Sequence, residues 1–366
     1  MDPARTFCPT LVCAARGQTG QGNIGSHARK EQRFSCTACR KTFTATKGTA
    51  LYRLRTSAET VSLVVTVRAH GCPLQALVVA FGFDERTVAA WWARSGKQGQ
   101  AVQECLVEQP RDWGHVQADE IRVKKQGGIV WMALAMRVQT HLWLGGDVSE
   151  PRARSLLRRL IERVRRCATP RPLLIGSEGV VSSIRAVRET LRDPVPTGTG
   201  GRPRLRPWRH VLSAQVIKRD ARRRVVEIAR RMIDGTPARV ETLRRRAQGD
   251  GGSNTAYIER LNATFRARLA SLTRRGRALA RRTVTLQHGM YLIGTVYNFC
   301  TPHARLAHAR GRTTPAMAAG STDQGWTVQE LLSLHVPLPR WTPPKQRGRP
   351  SHAFKRLIER RCGDHG

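Results

Sequence analysis

The stretch that decides the fold is HVQADEIRV at residues 115–123, followed by IVWMALAM at residues 129–136. The first run mixes apolar and polar residues, as a half-buried strand does, and the second is almost continuously apolar, as a central strand is. Gly127-Gly128 lies between them and predicts a hairpin turn. After a second short turn, residues 142–148 predict another strand. We therefore expect three consecutive antiparallel strands.

The chain beyond this meander alternates between helix and strand patterns. The expected order is helix 152–166, strand 172–175, helix 180–191, a Gly/Pro/Arg loop without regular structure at 194–208, strand 211–217, a basic and mostly amphipathic helix at 221–247, and helices from 253 and at 284–300. Three antiparallel strands, helix, strand, helix and a further strand is the order of a ribonuclease-H-like mixed sheet. The predicted class is therefore α/β.

The first 50 residues hold four of the nine cysteines, in two pairs. Cys8 and Cys13 have the spacing C-x4-C, and Cys36 and Cys39 have the spacing C-x2-C. Four thiolates in two such turns can close a tetrahedral zinc site that stabilises a segment too small to fold alone. The alternative is four unconnected thiols. We expect structural Zn²⁺ in a zinc-ribbon module.

Two helices joined by a tight glycine turn follow the cysteine-rich segment. Helical spacing at 59–70 precedes a break at Gly71-Cys72-Pro73, and an apolar face then runs from Leu74 to Phe81. Asp84 is expected to cap a helix over 85–94. This pattern is typical of a helix-turn-helix, whose second helix would expose Arg86 and Thr87 to DNA. An ordinary helical hairpin is the alternative.

Three acids lie where a ribonuclease-H-like sheet would bring them together. Asp119 is within the first strand, Glu178 follows the fourth strand, and Glu259 is on a later helix. In that architecture the first and fourth strands are neighbours, so their carboxylates can hold two divalent cations for phosphoryl transfer. There is an alternative interpretation for two of them. Glu178 can be an acid that is stabilised at a helix N-terminus, and Glu259 can be an ordinary surface residue.

The charge favours a polyanionic partner. The 366 residues carry 64 Lys+Arg against 26 Asp+Glu, a formal charge of +38, which makes nucleic acid the first partner class. Codon usage can explain arginine in place of lysine, but it does not explain the shortage of acids. Residues 101–150 hold seven acids against five bases, so the stretch around Asp119 nets −2. No long apolar run predicts a membrane span, and the N-terminal residues do not resemble a signal peptide, so a cytoplasmic location is expected.

Several of these motifs together resemble one family. They are the two cysteine pairs followed by RKTF at 40–43, then GFDERTV at 82–88, QADE at 117–120, YIERLN at 257–262 and YNFC at 297–300. In this order they resemble bacterial DDE transposases of the insertion-sequence-one type. The resemblance implies a zinc ribbon and a helix-turn-helix ahead of a ribonuclease-H-like catalytic domain, with Asp119, Glu178 and Glu259 binding Mg²⁺ or Mn²⁺. It also implies metal-dependent cleavage and transfer of double-stranded DNA at terminal inverted repeats, a target DNA, a homo-oligomer and a nucleoid location.

One departure from the family pattern concerns the second acid. The family has aspartate after the fourth strand, whereas this chain has Ser177-Glu178-Gly179. The extra methylene moves the carboxylate, and catalytic sites lose activity from such displacements, so we expect reduced or absent strand transfer.

The expected modules are a zinc ribbon (1–54), a helix-turn-helix domain (55–108), the catalytic domain (109–305) and a basic Pro/Gly-rich tail (306–366). In the tail, Arg347 and Arg349 lie in an RGRP string that resembles an AT-hook core, a minor-groove reader, although such strings arise readily in arginine-rich tails. Two other functions remain open. One is a non-catalytic DNA-binding regulator. The other is an RNA-binding protein, but the sequence has no motif of aromatic residues that would stack on RNA bases.

Overall fold

The computed structural model describes residues 3–150, 154–178, 181–195, 203–221, 224–248, 254–273, 279–306, 311–337 and 351–352. Arg347 and Arg349, the predicted minor-groove contacts, lie outside the described residues. The contacts within the chain divide it into two compact units, Met1–Ala58 with Leu332–Gly366, and Glu59–Leu331. The division into four modules stays a prediction.

The smaller unit contains a three-stranded antiparallel sheet. Its strands are β1 (Ile24–Ala28), β2 (Arg33–Cys36) and β3 (Thr42–Thr44), paired in that order. Phe34 and Phe43 face each other across β2 and β3, with ring centroids 6.0 Å apart. They pack with Cys8, Cys13 and Cys36 in one buried cluster. The core of this unit is therefore small and rich in sulfur.

Three helices begin the larger unit, α1 (Ala58–Ala69), α2 (Leu74–Phe81) and α3 (Glu85–Leu106). The turn between α2 and α3 has the predicted chemistry. Gly82 adopts the left-handed conformation with φ 66°, and Asp84 caps α3 by accepting a hydrogen bond of 2.8 Å from the backbone N–H of Arg86. Val88 and Trp91 are buried, as expected. The prediction that α3 ends at residue 94 is wrong.

A six-stranded mixed sheet forms the centre of the larger unit. Its strands are β4 (His115–Lys125), β5 (Gly128–Arg137), β6 (Trp143–Ser149), β7 (Leu173–Glu178), β10 (Val211–Ala221) and β11 (Arg224–Asp234). They are ordered β11-β10-β7-β4-β5-β6. The β4–β5–β6 meander is antiparallel, whereas β4 pairs with β7, and β7 with β10, in parallel. Helices α4 (Arg154–Cys167) and α5 (Val181–Thr190) make the connections around β7. The meander and the neighbouring first and fourth strands are confirmed.

Two sequence-based expectations about the basic segments are wrong. The loop predicted at 194–208 contains strand β9 (Arg204–Pro207) and the end of strand β8 (Arg192–Val195), which pair with each other. The expected helix over 221–247 is strand β11 followed, after Gly235, by helix α6 (Pro237–Gln248). The arginines of this segment have good helix propensity, but pairing along β10 and the branched residues of β11 override it.

Four helices complete the chain. They are α7 (Ala256–Arg268), α8 (Thr283–Thr295) with a π-helical turn at Val296–Cys300, α9 (Pro315–Ala318) and α10 (Val328–Ser333). Helix α8 packs along α3 at Gly96 and Gly99. These glycines look like helix breakers in the sequence, but here they allow the close approach that keeps α3 helical to Leu106. Within the described ranges, no helix is long and apolar enough to cross a membrane.

We expect Gly96→Ala to destabilise the larger unit. A Cβ at Gly96 would lie 2.5 Å from both Cβ and the carbonyl oxygen of His288, so the two helices would have to move apart. The expected loss in free energy of unfolding is about 1–3 kcal/mol, measured by urea denaturation. Gly128→Ala is the control, because a Cβ there meets no atom within 4 Å. Equal stability of the two variants would contradict this packing.

Candidate functional site

The four cysteines of the smaller unit converge on one point. Their Sγ atoms all lie within 4.8 Å of one another, with 3.6 Å between Cys8 and Cys39 and 3.8 Å between Cys13 and Cys36. A tetrahedral site with Zn–S bonds of about 2.3 Å has sulfurs about 3.8 Å apart, whereas a disulfide needs about 2.05 Å. The cluster therefore has the spacing of a four-thiolate metal site.

The surroundings of the sulfurs also fit a bound cation. Burial raises the pKa of the Cys8 thiol, and burial together with the neighbouring thiols raises the pKa of Cys13 to about 12. A divalent cation would reverse this, because coordinated thiols are deprotonated. The side-chain amide of Asn23 donates to Sγ of Cys36 at 3.6 Å, a contact suited to a thiolate. These residues can hold a metal ion.

A second cluster forms where β4 and β7 run side by side. Their parallel register pairs Ala118 with Ser177, and Asp119 and Glu178 are the next residue on each strand. The carboxylate of Glu178 acts on that of Asp119 as a nearby negative charge. The two strands therefore place these acids at the same level of the sheet.

Helix α7 is fastened to the same strand by a buried amide. Nε2 of Gln117 donates to the carbonyl oxygen of Asn254 at 2.6 Å, and its Oε1 accepts from the backbone N–H of Ile258 at 3.1 Å. Further along, Nδ2 of Asn262 donates to Oδ2 of Asp119 at 2.6 Å. These bonds set the position of α7, and with it that of Glu259, against β4.

Lys218 on β10 joins the second and third acids. Its ammonium lies 3.7 Å from Oε1 of Glu178 and forms a close ion pair with Oε1 of Glu259. The Thr255 hydroxyl also donates to Glu259 at 2.5 Å. Asp119, Glu178 and Glu259 thus belong to one group, which we call the acidic centre. Lys218 lies between the two glutamates, and the charge of Arg266 acts on Asp119.

The electrostatics of the acidic centre differ among its members. Burial, reinforced by the charge of Glu178, raises the pKa of Asp119 to about 7. Burial also raises the pKa of Glu178, which Lys218 opposes and Glu259 reinforces. Partial burial acts in the same direction on Glu259, but hydrogen bonds from Lys218 and Thr255 leave its pKa lowered. The negative charge is therefore incompletely compensated.

The acidic centre is looser than the cysteine cluster. Among the described residues, the four cysteines are the one group of three or more His, Cys, Asp or Glu side chains whose ligand atoms all come within 4.8 Å of one another. A buried oxygen, Oδ1 of Asn262, has no hydrogen-bond partner within the described ranges, although it belongs to the amide that contacts Asp119. An unpaired oxygen beside carboxylates fits a hard cation.

Sequence reasoning missed three residues of this site: Gln117, Lys218 and Asn262. Asn262 had a signal, since it lies three positions after Glu259 and three-residue spacing places side chains on one side of a helix. Lys218 had none, because one basic residue among 64 attracts no attention. The predicted DNA contacts Arg86 and Thr87 lie in the first turn of α3, where Arg86 is exposed and Thr87 is half-buried.

In comparisons with known proteins, the chain matches no protein-family model and no curated protein.

We expect the purified chain to carry one Zn²⁺ per molecule in the cysteine cluster. Cys36→Ser should abolish stoichiometric zinc and increase amide hydrogen exchange over β1–β3, because the small sulfur-rich core relies on the metal. Cys72→Ser is the matched control, since Cys72 is a free cysteine outside the cluster. Elemental analysis and hydrogen exchange provide the measurement. Equal zinc content in both variants would contradict the site.

Asp119→Asn should remove a pH dependence of stability. The folded state holds the Asp119 proton up to about pH 7, whereas an ordinary aspartate has a pKa of 3.8, so stability falls as the pH rises between these values. Relative to wild type, Asp119→Asn should gain about 2–4 kcal/mol on going from pH 4 to pH 8 without added divalent cation. Urea unfolding at both pH values measures it. Asp323→Asn, at an exposed carboxyl, is the control, and parallel pH profiles of wild type and Asp119→Asn would be inconsistent with a raised pKa.

Proposed function

We propose that the protein is a DNA transposase of an insertion sequence, with Asp119, Glu178 and Glu259 as its catalytic acids. The observation that carries the proposal is the acidic centre itself. Two neighbouring parallel strands and a helix tied to one of them supply three carboxyls to one place. Such an arrangement of acids is what metal-dependent phosphoryl transfer on DNA requires.

The topology of the larger unit supports a ribonuclease-H-like catalytic domain. An antiparallel meander of three strands is followed by β7 and β10, both parallel to the first strand, and β7 pairs directly with β4. In a ribonuclease-H-like sheet the first and fourth strands are likewise neighbours, with catalytic acids on both. The extra strand β11 extends the sheet beyond this common set.

The carboxylates of Asp119, Glu178 and Glu259 would hold Mg²⁺ or Mn²⁺. When bound, such ions activate the attacking oxygen and stabilise the leaving oxygen of an in-line displacement. The neighbouring side chains position the carboxylate ligands and balance part of their charge. Asn262 orients Asp119, Thr255 orients Glu259, and the ammonium of Lys218 supplies a counter-charge that must leave Glu178 and Glu259 before both carboxylates are free as ligands.

DNA binding is assigned to the two regions before the sheet. The cysteine cluster would stabilise a zinc ribbon, and α2 and α3 would form a helix-turn-helix that presents Arg86 and Thr87 to the terminal inverted repeats. The tight Gly82 turn and the Asp84 cap support that reading. The net charge of +38 suits a phosphate backbone, for both element ends and target DNA. We further propose a homo-oligomer, because transposition must bring two DNA ends together.

A non-catalytic DNA-binding regulator is the second candidate function. Lys218 favours it, because a lysine that already pairs with two of the acids lessens the need for a metal ion. Glu178 in place of the family's aspartate points the same way. A regulator would bind the same DNA without cutting it.

The test is cleavage of DNA that carries the sequences flanking the protein's own gene, with Mg²⁺ or Mn²⁺. We expect metal-dependent nicking that Glu259→Gln lowers at least about a hundredfold while gel-shift affinity is kept, since even outer-shell substitutions at metal sites lose 10–100-fold. Glu162→Gln, at an acid of α4 paired with Arg158, should leave cleavage unchanged. Specific binding without nicking in any metal, by the wild type and by Glu178→Asp alike, would overturn the transposase proposal in favour of the regulator.

Glu178→Asp addresses the departure from the family pattern. Shortening the side chain should raise the rate of cleavage by up to about a hundredfold, if the extra methylene misplaces the carboxylate by about an ångström. The rates of both proteins are compared on the same DNA with the same metal. Equally robust cleavage by wild type and Glu178→Asp would show that glutamate serves fully here.

A further inference from the structure

A cavity of about 200 Å³ lies beside helix α7, outside the acidic centre. It is open to solvent on one side and lined by the turn after β5, by α7, and by the segment that follows α8. The residues that give it chemical character are His141, Tyr257, Arg260, Tyr297, His303 and Arg305. No acid lines it. The cavity is therefore cationic and aromatic, in contrast to the nearby centre.

Aromatic rings hold one another in the wall of the cavity. The His303 ring lies 4.6 Å from the Tyr297 ring and 5.9 Å from the His141 ring, and His141 also contacts Tyr257 at 5.4 Å between centroids. Within the described ranges, the buried Nε2 of His303 has no hydrogen-bond partner. Leaving such an atom unpaired costs about 1–3 kcal/mol, so the fold holds this ring in the wall at an energetic cost.

Two exposed arginines line the same cavity. Arg260 and Arg305 are both solvent-exposed, and neither forms an ion pair with a carboxylate of the described residues. The histidines beside them are disfavoured as cations. Burial and then the charge of Arg260 and Arg305 lower the pKa of His141, and burial is the main cause that lowers the pKa of His303 to about 4. The cavity thus holds positive potential that nothing within it offsets.

The backbone at His141 adds a second observation. Its φ of 56° is in the left-handed region, where a residue with a side chain costs energy and glycine does not. The turn between β5 and β6 would form more easily with glycine. Histidine at this position is therefore unfavourable for the backbone of the turn, although its imidazole helps to line the cavity.

We propose that this cavity is a binding site for a phosphate group. Two guanidinium groups provide paired donors for phosphate oxygens, and the imidazoles of His141 and His303 provide further polar atoms. Arg260 directly follows Glu259 on α7, so a phosphate held here would lie close along the helix to the acidic centre. The phosphate can belong to a DNA backbone or to a free anion, and the binding chemistry is the same. The site stands whether or not the acidic centre cuts DNA.

Titration of the full chain with inorganic phosphate tests the proposal, with the imidazole resonances of the histidines followed by NMR. At about 150 mM salt, diffuse attraction to surface charge is screened. We expect saturable shifts of the His141 and His303 resonances, assigned by His141→Gln and His303→Gln. Replacing both rim arginines, Arg260→Gln with Arg305→Gln, should weaken binding at least about tenfold. Arg281→Gln, at an exposed arginine that does not line the cavity, should change nothing.

A second variant protects the test against misfolding. His141→Asn removes the imidazole but keeps a side chain that is tolerated in the left-handed region, so it should fold as the wild type does while weakening phosphate binding. Duplex DNA is then added to the phosphate-loaded protein. Displacement of phosphate identifies a DNA backbone phosphate as the ligand, and independent binding identifies a free anion. Shifts that do not saturate, or that persist in the double arginine variant, would overturn the site.

Discussion

The parallel pairing of β4 with β7 is the contact on which the proposed chemistry depends. It joins the antiparallel meander to the rest of the sheet and places Asp119 beside Glu178, two acids about 60 positions apart in the sequence. Successive residues of a strand face opposite sides, so a slip of one position would send Asp119 away from α7. Gln117 resists such a slip because both ends of its buried amide bond to the backbone around the start of α7. The same contacts that stabilise the sheet therefore position the acids.

The acidic centre contains a conflict between stability and chemistry. Burying carboxyls beside one another is unfavourable, as the raised pKa of Asp119 records, and Lys218 relieves only part of the repulsion. Strain of this kind is common where a protein binds a cation or a reacting group. The rest of the molecule has the opposite charge. The chain carries a formal charge of +38, and other residues of α7 line a cationic cavity. Under the proposed function, this basic molecule would hold DNA around cations bound at its negative centre.

Much of this arrangement was predictable from local patterns. The meander, the Asp84 cap and the four-cysteine cluster each follow from hydrophobic alternation, a turn motif or ligand spacing, and each is observed. The errors arose where tertiary contacts override local preference. The arginine-rich strand β11 forms because β10 offers a partner, and α3 continues through Gly96 because α8 lies close there. Lys218 is similarly invisible in sequence, since its importance comes from contacts with Glu178 and Glu259 that only the folded sheet creates.

Anomalous X-ray diffraction from crystals of the full chain soaked in Mn²⁺ would show whether the three carboxyls form a divalent-cation centre, as proposed above. We expect an anomalous peak within coordination distance of Asp119 and Glu178 or Glu259, with the Lys218 ammonium withdrawn from the glutamates. Absence of manganese there at a concentration that saturates other Mn²⁺ sites, with Lys218 still paired to Glu259, would contradict it.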